Sequence, residues 1–271
     1  MRVGFIGLGS QGGPMARRIV EGGYETTLWA RRPETLEAFA DTRAKVAKSP
    51  AELGAASDLV CLCVVGDADV EQLAGGEQGL LSAMRPGGVI AVHSTVHPNT
   101  CRDLANRAAS QGVSVIDAPV SGGGQAAAEG RLLVMVGGDA DVVERCRPVF
   151  ATYADPIVHL GELGSGQTTK LLNNLLFTAH LATAASALSL AGALGVDPGR
   201  LTEVVSRSSG NSFALNALGG IGGLERLAAV AATLLQKDVR LVVDLADRAG
   251  ASGGAVLDTA DAALALMGHP R

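Results

Sequence analysis

The chain is poor in aromatic residues and carries no excess of positive charge. Of its 271 residues only 3% are aromatic, and 22 basic residues stand against 27 acidic ones, a formal net charge of -5. The basic residues are spread along the chain, so we expect no nucleic-acid partner. Since 47% of the residues are hydrophobic, small aliphatic side chains can still fill a sizeable core.

Cysteine is scarce, and long uninterrupted apolar runs are missing. Cys61, Cys63, Cys101 and Cys146 form no paired ligand motif, so we expect neither a disulfide framework nor a metal site. No run of about 20 apolar residues lacks both charge and Gly/Pro turn signals, which predicts no membrane span. The apolar start of the chain is too short for a secretory leader. We therefore expect a cytoplasmic protein.

Short apolar runs alternate with helical patterns through roughly the first 160 residues. These runs are Val3–Ile6, Glu25–Trp29, Leu59–Val65, Gly88–His93, Val113–Asp117, Leu132–Val136 and Pro156–Leu160. This rhythm predicts an α/β fold with a Rossmann-type doubly wound sheet. After Gly161 the chain is rich in Ala and Leu without strand-like runs, which predicts an all-α C-terminal domain. We place the domain boundary between residues 162 and 163.

Turn and cap signals divide the helical part. We predict a first helix from Ser165 to Leu194, ended by Gly195 in the left-handed conformation. Asp197-Pro198 supplies the start of the next helix. Gly250 closes a long helix that contains Lys237 and Asp238.

A glycine fingerprint follows the first strand. The segment Gly7-Leu8-Gly9-Ser10-Gln11-Gly12 matches the G-x-G-x-x-G pattern. Gly7 permits a tight turn, Gly9 lets the backbone approach a pyrophosphate, and Gly12 allows close strand-to-helix packing. A glycine-rich turn without ligand is the alternative, but the strand-glycine-helix context favours dinucleotide binding. Residues 1–162 are therefore predicted as the dinucleotide-binding domain, and residues 163–271 as the domain for substrate and oligomerisation.

The second strand ends without the acidic residue that holds the ribose of NAD. The sequence there reads Trp29-Ala30-Arg31-Arg32. A guanidinium can form charge-assisted bonds to a 2′-phosphate, so Arg31 and Arg32 favour NADP over NAD. Two solvated surface arginines are the alternative.

A second glycine-rich segment, Asp117 to Gly124, leaves a predicted strand at the edge where ligands of open α/β sheets bind. Its backbone N–H groups at Gly122 and Gly123, together with the Ser121 hydroxyl, can hold a carboxylate. A mobile loop without ligand is an equally good interpretation of this segment alone.

Two lysines carry the remaining chemistry. Lys170, Asn174, Phe177 and Leu181 share one helical face. A lysine beside an interdomain cleft loses solvation and can exchange a proton near neutral pH. The alternative is a lysine that reaches into solvent. Lys237 interrupts an apolar helical run and is expected near the nicotinamide or ribose. The alternative is that the Lys237-Asp238 segment forms a surface ion pair with Arg240 or Asp244.

These motifs together resemble the β-hydroxyacid dehydrogenase family, the group of 3-hydroxyisobutyrate dehydrogenase and tartronate semialdehyde reductase. The resemblance covers nearly the whole chain and rests on Gly4–Ala16, Ser94-Thr95 with Pro98, Asp117–Gly123, Gly161–Asn174 and Lys237–Arg240. It implies Lys170 as the catalytic acid/base with Asn174 as its partner. It also implies carboxylate binding by Ser121 to Gly123, Thr95 beside the nicotinamide, and Lys237 at the cofactor.

The sequence departs from the family pattern at several positions. Near the cofactor, Gln11 replaces the usual Met, and Val64-Val65-Gly66 replaces Met-Leu-Pro. On the substrate side, Asn211 and Phe213 replace Arg and Trp, and Val230 replaces an aromatic residue. The substrate side of the site is therefore expected to differ from that of family members with the usual residues.

We expect an NADP-preferring oxidoreductase that transfers a hydride between the nicotinamide and a small β-hydroxy acid or its semialdehyde or oxo counterpart, with Lys170 handling the proton. Likeness to the family suggests a homodimer or homotetramer formed through the helical domain. An imine reductase-like enzyme and a non-catalytic NADP-binding regulator are the alternatives; the intact Lys170 and Asn174 argue against the regulator.

Overall fold

The computed structural model describes all residues from Met1 to Arg271. The chain divides into two compact units, Met1–Lys170 and Leu171–Arg271. All strands belong to the first unit, and the second unit is built from helices and their connections. The absence of strand-like runs after Gly161 therefore predicted the secondary structure of this part correctly.

The first unit contains nine short strands. They are β1 (Val3–Ile6), β2 (Thr26–Trp29), β3 (Lys45–Val46), β4 (Leu59–Leu62), β5 (Val89–Val92), β6 (Ser114–Asp117), β7 (Val120–Ser121), β8 (Leu132–Val136) and β9 (Ala154–His159). Six of them form a parallel sheet in the order β3-β2-β1-β4-β5-β6. This is the strand order of the dinucleotide-binding doubly wound fold, which confirms the predicted fold class.

The two last apolar runs lie outside this sheet. Strands β7, β8 and β9 form a separate three-stranded sheet, with β7 antiparallel and β9 parallel to β8. Asp117, the last residue of β6, pairs antiparallel with Gly137, and the Pro119 carbonyl oxygen accepts the N–H of Met135 at 3.0 Å. The chain therefore passes after Asp117 from the first sheet into the second.

Eleven α-helices surround and follow the strands. They are α1 (Gly12–Glu21), α2 (Pro50–Ala55), α3 (Asp67–Gly75), α4 (Pro98–Ala109), α5 (Gly123–Ala128), α6 (Ala140–Phe150), α7 (Ser165–Ala193), α8 (Pro198–Val205), α9 (Phe213–Ile221), α10 (Leu224–Ala249) and α11 (Gly254–Leu266). Two 3₁₀ helices, Pro33–Phe39 and Leu80–Ser82, complete the connections of the first unit.

Apolar residues cover both faces of the parallel sheet. Successive side chains of a strand point to opposite faces, so Phe5 packs with Met15 and Ile19 in one cluster, whereas Ile6 packs with Leu53 in the other. Helices on both faces explain why β1, β4 and β5 are buried along their whole length.

The helical unit follows the predicted caps. Helix α7 ends two residues before Gly195, which has a φ of 78°. The Asp197 carboxylate accepts the N–H of Arg200 at 2.8 Å and caps α8. Gly250, with a φ of 63°, ends α10. These positions were predicted correctly because caps and left-handed glycines are local signals.

One helix departs from the expectation about membranes. By length and composition alone, α7 is apolar enough to cross a bilayer. Between Lys170 and its end it has no Asp, Glu, Lys or Arg, although Asn173, Asn174 and His180 are polar. Leu171, Leu175 and Leu181 on this helix belong to the buried core of the second unit, as in a core helix of a globular domain.

Candidate active site

The glycine fingerprint forms the turn between β1 and α1. Gly7 has a φ of 99°, and a Cβ there would lie 2.0 Å from the carbonyl oxygen of Cys63. A Cβ on Gly12 would lie 1.9 Å from the Gly7 carbonyl oxygen, whereas one on Gly9 would meet nothing within 4 Å. Gly7 and Gly12 are therefore required by packing, while the backbone at Gly9 is open to a ligand.

The start of α1 fits an anion. Gln11 precedes the helix and gives it no side-chain cap. In the first turn Gly13 donates its N–H to the Gly9 carbonyl oxygen at 2.8 Å and Pro14 has no N–H, so the Gly12 N–H is the group left for a phosphate. Ser10 is exposed, and Gln11 places its Nε2 atom 3.9 Å from the Met15 sulfur. Leu8, at 9% exposure, packs into the core, so this residue offers a ligand only its backbone.

Arg31 and Arg32 are both exposed after β2. The Arg31 guanidinium donates to the Asp69 carboxylate at 2.7 Å, and Asp69 lies in the first turn of α3. The guanidinium predicted to bind a 2′-phosphate therefore already has an acidic neighbour. Asp69 is 38 residues away from Arg31 in the sequence, so no local pattern marks it as a partner.

The Ser121 loop lies beside the fingerprint. Gly122 and Gly123 have φ values of 127° and 76°, and α5 begins at Gly123. A Cβ on Gly124 would lie 2.2 Å from the Ser10 carbonyl oxygen. The two glycine-rich segments are thus in backbone contact, and Gly123 faces open space.

Asp117 joins the end of β6 to the beginning of α7. Its side chain is fully buried; Oδ1 accepts the N–H of Gly164 and Oδ2 that of Gln167, each at 2.6 Å. Burial raises the pKa of this carboxyl group, while the two N–H donors act in the opposite direction. A carboxylate at a helix N terminus is also favoured by the helix dipole. The Ser121 loop and the helix of Lys170 therefore begin at one buried junction.

Gln167 extends this junction to the loop after β5. The side chain is fully buried, and its Nε2 donates to the Ser94 carbonyl oxygen at 2.7 Å. Its Oε1 accepts the N–H of Val96 at 3.1 Å. The Ser94 hydroxyl accepts the N–H of Val64 at 2.8 Å. Thr95, which is half-buried, lies between the two residues that Gln167 holds.

Two of the departures from the family pattern lie after β4. Val64 is half-buried and bound through its backbone, whereas the Val65 side chain is 68% exposed. Lys170 lies one turn along α7 from Gln167 and is half-buried. Within the first unit the structure thus links the segments of Val64, Thr95, Ser121 and Lys170.

In the second unit Asn174 and the Lys237-Asp238 pair are in contact. Asn174 donates its Nδ2 hydrogen to Asp238 Oδ2 at 2.6 Å. Lys237 Nζ lies 2.8 Å from Asp238 Oδ1, and the Asp238 side chain is only 5% exposed. Lys237 thus forms an ion pair with its neighbour Asp238, and Asp244 forms one with Arg248.

Phe213, expected on the substrate side, begins α9 and is 77% exposed. Its ring packs edge-on against Phe177 with 5.9 Å between the centroids. The prediction that Phe213 contacts substrate rests on the family pattern alone.

Ser94 and Gln167 lie within the quoted motifs but were given no role, and neither Asp69 nor the contact of Asp238 with Asn174 was predicted. Each of these contacts joins segments distant in sequence, so no local pattern marks the contact. Asp117 is different, because a carboxylate at the end of a strand in a glycine-rich motif is a visible signal.

The strand order and the open glycine turn define the class as NAD(P)-binding oxidoreductases with a Rossmann domain. Comparison with known proteins agrees with this. The family model for the NAD binding domain of 6-phosphogluconate dehydrogenase matches residues 2–161. The model for the NAD-binding domain of NADP-dependent 3-hydroxyisobutyrate dehydrogenase matches residues 164–268.

Individual relatives point the same way. L-threonate dehydrogenase of Cupriavidus necator is 38% identical over 212 residues, covering 78% of this chain and 71% of the relative. The structure of Mycobacterium tuberculosis 3-hydroxyisobutyrate dehydrogenase with L-serine is 28% identical, has a TM-score of 0.85 and covers 99% of this chain and 94% of that one. The structure of Psf3 in complex with NADP⁺ and 2-OPP is 26% identical with a TM-score of 0.85, covering 98% and 93%.

The chain belongs to the 3-hydroxyisobutyrate dehydrogenase family, as the sequence motifs indicated. It is therefore an NAD(P)-dependent dehydrogenase.

Proposed function

We propose that this chain is an NADP-preferring dehydrogenase or reductase for a small β-hydroxy acid or its semialdehyde or oxo counterpart. Lys170 is the general acid/base and Asn174 its partner. The observation that carries the proposal is the buried Asp117 junction, because one carboxylate joins the strand leading into the Ser121 loop to the helix of Lys170.

The residues present fit a dinucleotide. The open backbone at Gly9 and the uncapped start of α1 would hold the pyrophosphate. Arg31 and Arg32 would hold the 2′-phosphate, Val64, Val65 and Thr95 would lie along the nicotinamide half, and Lys237 would contact the cofactor. The bound nicotinamide supplies the hydride in reduction and accepts it in oxidation.

The chain's own residues handle the substrate and the proton. Ser121 and the N–H groups of Gly122 and Gly123 bind the substrate carboxylate. In oxidation, the neutral amine of Lys170 takes the hydroxyl proton as the carbonyl bond forms; in reduction, the ammonium returns it. Asn174 orients the lysine or the reacting oxygen, and Phe213 borders the substrate.

We also propose the functional division at residues 162 and 163, with a dinucleotide-binding domain followed by one for substrate and oligomerisation. Exposed leucines along α7 and directly after it support a homodimer or homotetramer. Leu172, Leu176, Leu190 and Leu194 are between 49% and 71% exposed, which is unusual for large apolar side chains grouped on one segment. Light scattering coupled to gel filtration would test this, and a monomer would contradict it.

The decisive experiment is a panel of hydroxy acids, semialdehydes, neutral ketones and cyclic imines, with NADPH absorbance as the readout. Turnover of hydroxy acids or their oxo forms supports the proposal. Turnover confined to imines would make the chain an imine reductase. Tight NADPH binding without turnover of any of these substrates would instead support a non-catalytic regulator.

A further inference from the structure

Gln167 is a buried amide that the family motifs left without a role. Its side chain is fully buried, and both polar ends are bound: Nε2 to the Ser94 carbonyl oxygen at 2.7 Å and Oε1 to the Val96 N–H at 3.1 Å. A buried amide is costly unless it is hydrogen-bonded. These bonds therefore fix the side chain in one orientation.

The two bonds hold the backbone on both sides of Thr95. One goes to the residue before Thr95 and the other to the residue after it, so the amide pairs with this loop as a neighbouring strand would. Ser94 is also held from the other side, because its hydroxyl accepts the N–H of Val64 at 2.8 Å. The Thr95 segment has little freedom to shift while both contacts persist.

The backbone of Gln167 is fixed as firmly as its side chain. Its N–H donates to the Asp117 carboxylate at 2.6 Å, and the other carboxylate oxygen holds Gly164 at the same distance. Gln167 therefore fixes the loop after β5 relative to the C-terminal end of β6. Lys170 follows three residues later on the same rigid helix.

We propose that Gln167 is a positioning residue that sets the placement of Thr95 relative to Lys170. The inference rests on the proposed function, in which Thr95 lies beside the nicotinamide and Lys170 transfers the proton. Hydride and proton transfer must occur in one geometry, and a shift of about 1 Å can cost about 100-fold in rate. Gln167 itself touches neither substrate nor cofactor in this scheme.

The first test uses Gln167→Met, which preserves length but removes both hydrogen bonds. Hydrogen exchange of the Val96 amide, measured by NMR, reports directly whether the contact is lost. We expect faster exchange at Val96, at least about a tenfold loss in kcat, and NADPH affinity and KM within about threefold of the parent. Thr168→Val is the matched control, because its hydroxyl bonds only to the Gly164 carbonyl oxygen within the same turn; it should leave Val96 and kcat unchanged.

The second test uses Gln167→Glu and pH. A neutral glutamic acid can still donate to Ser94 and accept from Val96, whereas the carboxylate cannot donate. The Asp117 carboxyl group and the Cys101 thiol are the titratable groups interacting with this position, and burial beside Asp117 favours the neutral form. The ratio of kcat for this variant to that of the parent should therefore fall as pH rises from about 5.5 to about 9.

The outcomes separate the two proposals. A parent inactive on every hydroxy acid overturns the proposed function, and the inference with it. With an active parent, a flat ratio for Gln167→Glu overturns the inference alone. So does Gln167→Met with rapid Val96 exchange but kcat within about twofold of the parent. If Gln167→Met does not fold, the inference is decided by how the ratio of kcat for Gln167→Glu to kcat for the parent changes with pH.

Discussion

Asn174 donates its amide hydrogen to the buried carboxylate of Asp238 at 2.6 Å. The donor must be the Nδ2 group, because an ionised carboxylate can only accept. The amide is thereby oriented, and its Oδ1 accepts from Asn173 at 3.1 Å. Asp238 thus contacts both Lys237 and Asn174, and it orients the amide of the residue proposed as the partner of the catalytic lysine.

Replacing Asp238 should therefore damage catalysis through Asn174. We expect Asp238→Ala to lower kcat at least about tenfold, because a charge-assisted hydrogen bond contributes about 1.5–3 kcal/mol and Asn174 becomes free to rotate. Asp238→Asn keeps an acceptor and should lose less. Asp247→Asn, an exposed change on the same helix, should have no effect. Equal activity of Asp238→Ala and parent would contradict an orienting role.

Lys170→Met tests the proton transfer itself. Removing a general acid/base typically costs about 10²–10⁴-fold, and we expect this loss in kcat with unchanged NADPH binding. Fluorescence titration with NADPH and steady-state kinetics provide the two measurements. Lys48→Met, at an exposed lysine distant in sequence, controls for the loss of a positive charge. Turnover within about threefold of the parent would remove Lys170 from the mechanism.

Much of the fold could be predicted because its signals are local. Alternating apolar runs, the fingerprint at Gly7 and the left-handed glycines at 195 and 250 each lie within a few residues. The small sheet was missed because β7 has only two residues, too few for a periodic pattern. The pairing of β7 with β8 depends on the turn after Asp117 rather than on composition.

The contacts within the candidate site could not be predicted, because they depend on folding. Gln167 binds Ser94 and Val96, 73 and 71 residues away. Asn174 and Asp238 are separated by 64 residues, and Arg31 and Asp69 by 38. Motifs identified the residue types near the chemistry, while the partners that orient them follow from the tertiary structure.

The Arg31–Asp69 pair gives a prediction about coenzyme preference. Arg31→Ala should weaken NADPH binding and leave NADH nearly unchanged, because only NADPH carries the 2′-phosphate. Asp69 competes with that phosphate for the guanidinium, so Asp69→Asn should strengthen NADPH binding. An exposed pair contributes about 0.2–1 kcal/mol, which corresponds to an increase of up to about fivefold. Calorimetry with both coenzymes measures these effects. When Arg31 is already replaced by Ala, the additional substitution Asp69→Asn should not change the affinity for NADPH. Equal losses for NADPH and NADH in Arg31→Ala would contradict the assignment.

His93 makes the stability of the first unit depend on pH. Its Nδ1 donates to the Ala118 carbonyl oxygen at 2.6 Å, so Nε2 accepts from the Tyr153 hydroxyl at 3.2 Å in the neutral ring. Burial lowers the pKa of His93 to about 4. The unfolded chain takes up a proton near pH 6.5 that the folded chain excludes, so stability is lost as pH falls from about 6.5 towards about 4.

Urea unfolding can measure this contribution. Between about pH 7.5 and about pH 5, the free energy of unfolding should fall by about 2 kcal/mol more in the parent than in His93→Gln, because the glutamine side chain cannot be protonated in this range. The two proteins share all other titrating groups, so the difference between their pH dependences of the unfolding free energy isolates the contribution of His93. Equal pH dependence of the two proteins would show that His93 is not the group responsible.

The substrate's carboxylate is the last feature that can be tested. Ser121, Gly122 and Gly123 follow the end of β6, where ligands of open α/β sheets bind, and the left-handed backbone at both glycines disfavours side chains that would cover their N–H groups. Such donors suit an anion better than an apolar group.

A charge-assisted hydrogen bond contributes about 1.5–3 kcal/mol, so the methyl ester of the best hydroxy acid should have kcat/KM at least about tenfold lower than the free acid. The difference between acid and ester should shrink in Ser121→Ala, because one of the groups that senses the charge is gone, while the ester itself should be turned over almost as in the parent. If the parent uses ester and acid equally well, the loop does not bind a carboxylate, and a neutral carbonyl or an imine becomes the better substrate class.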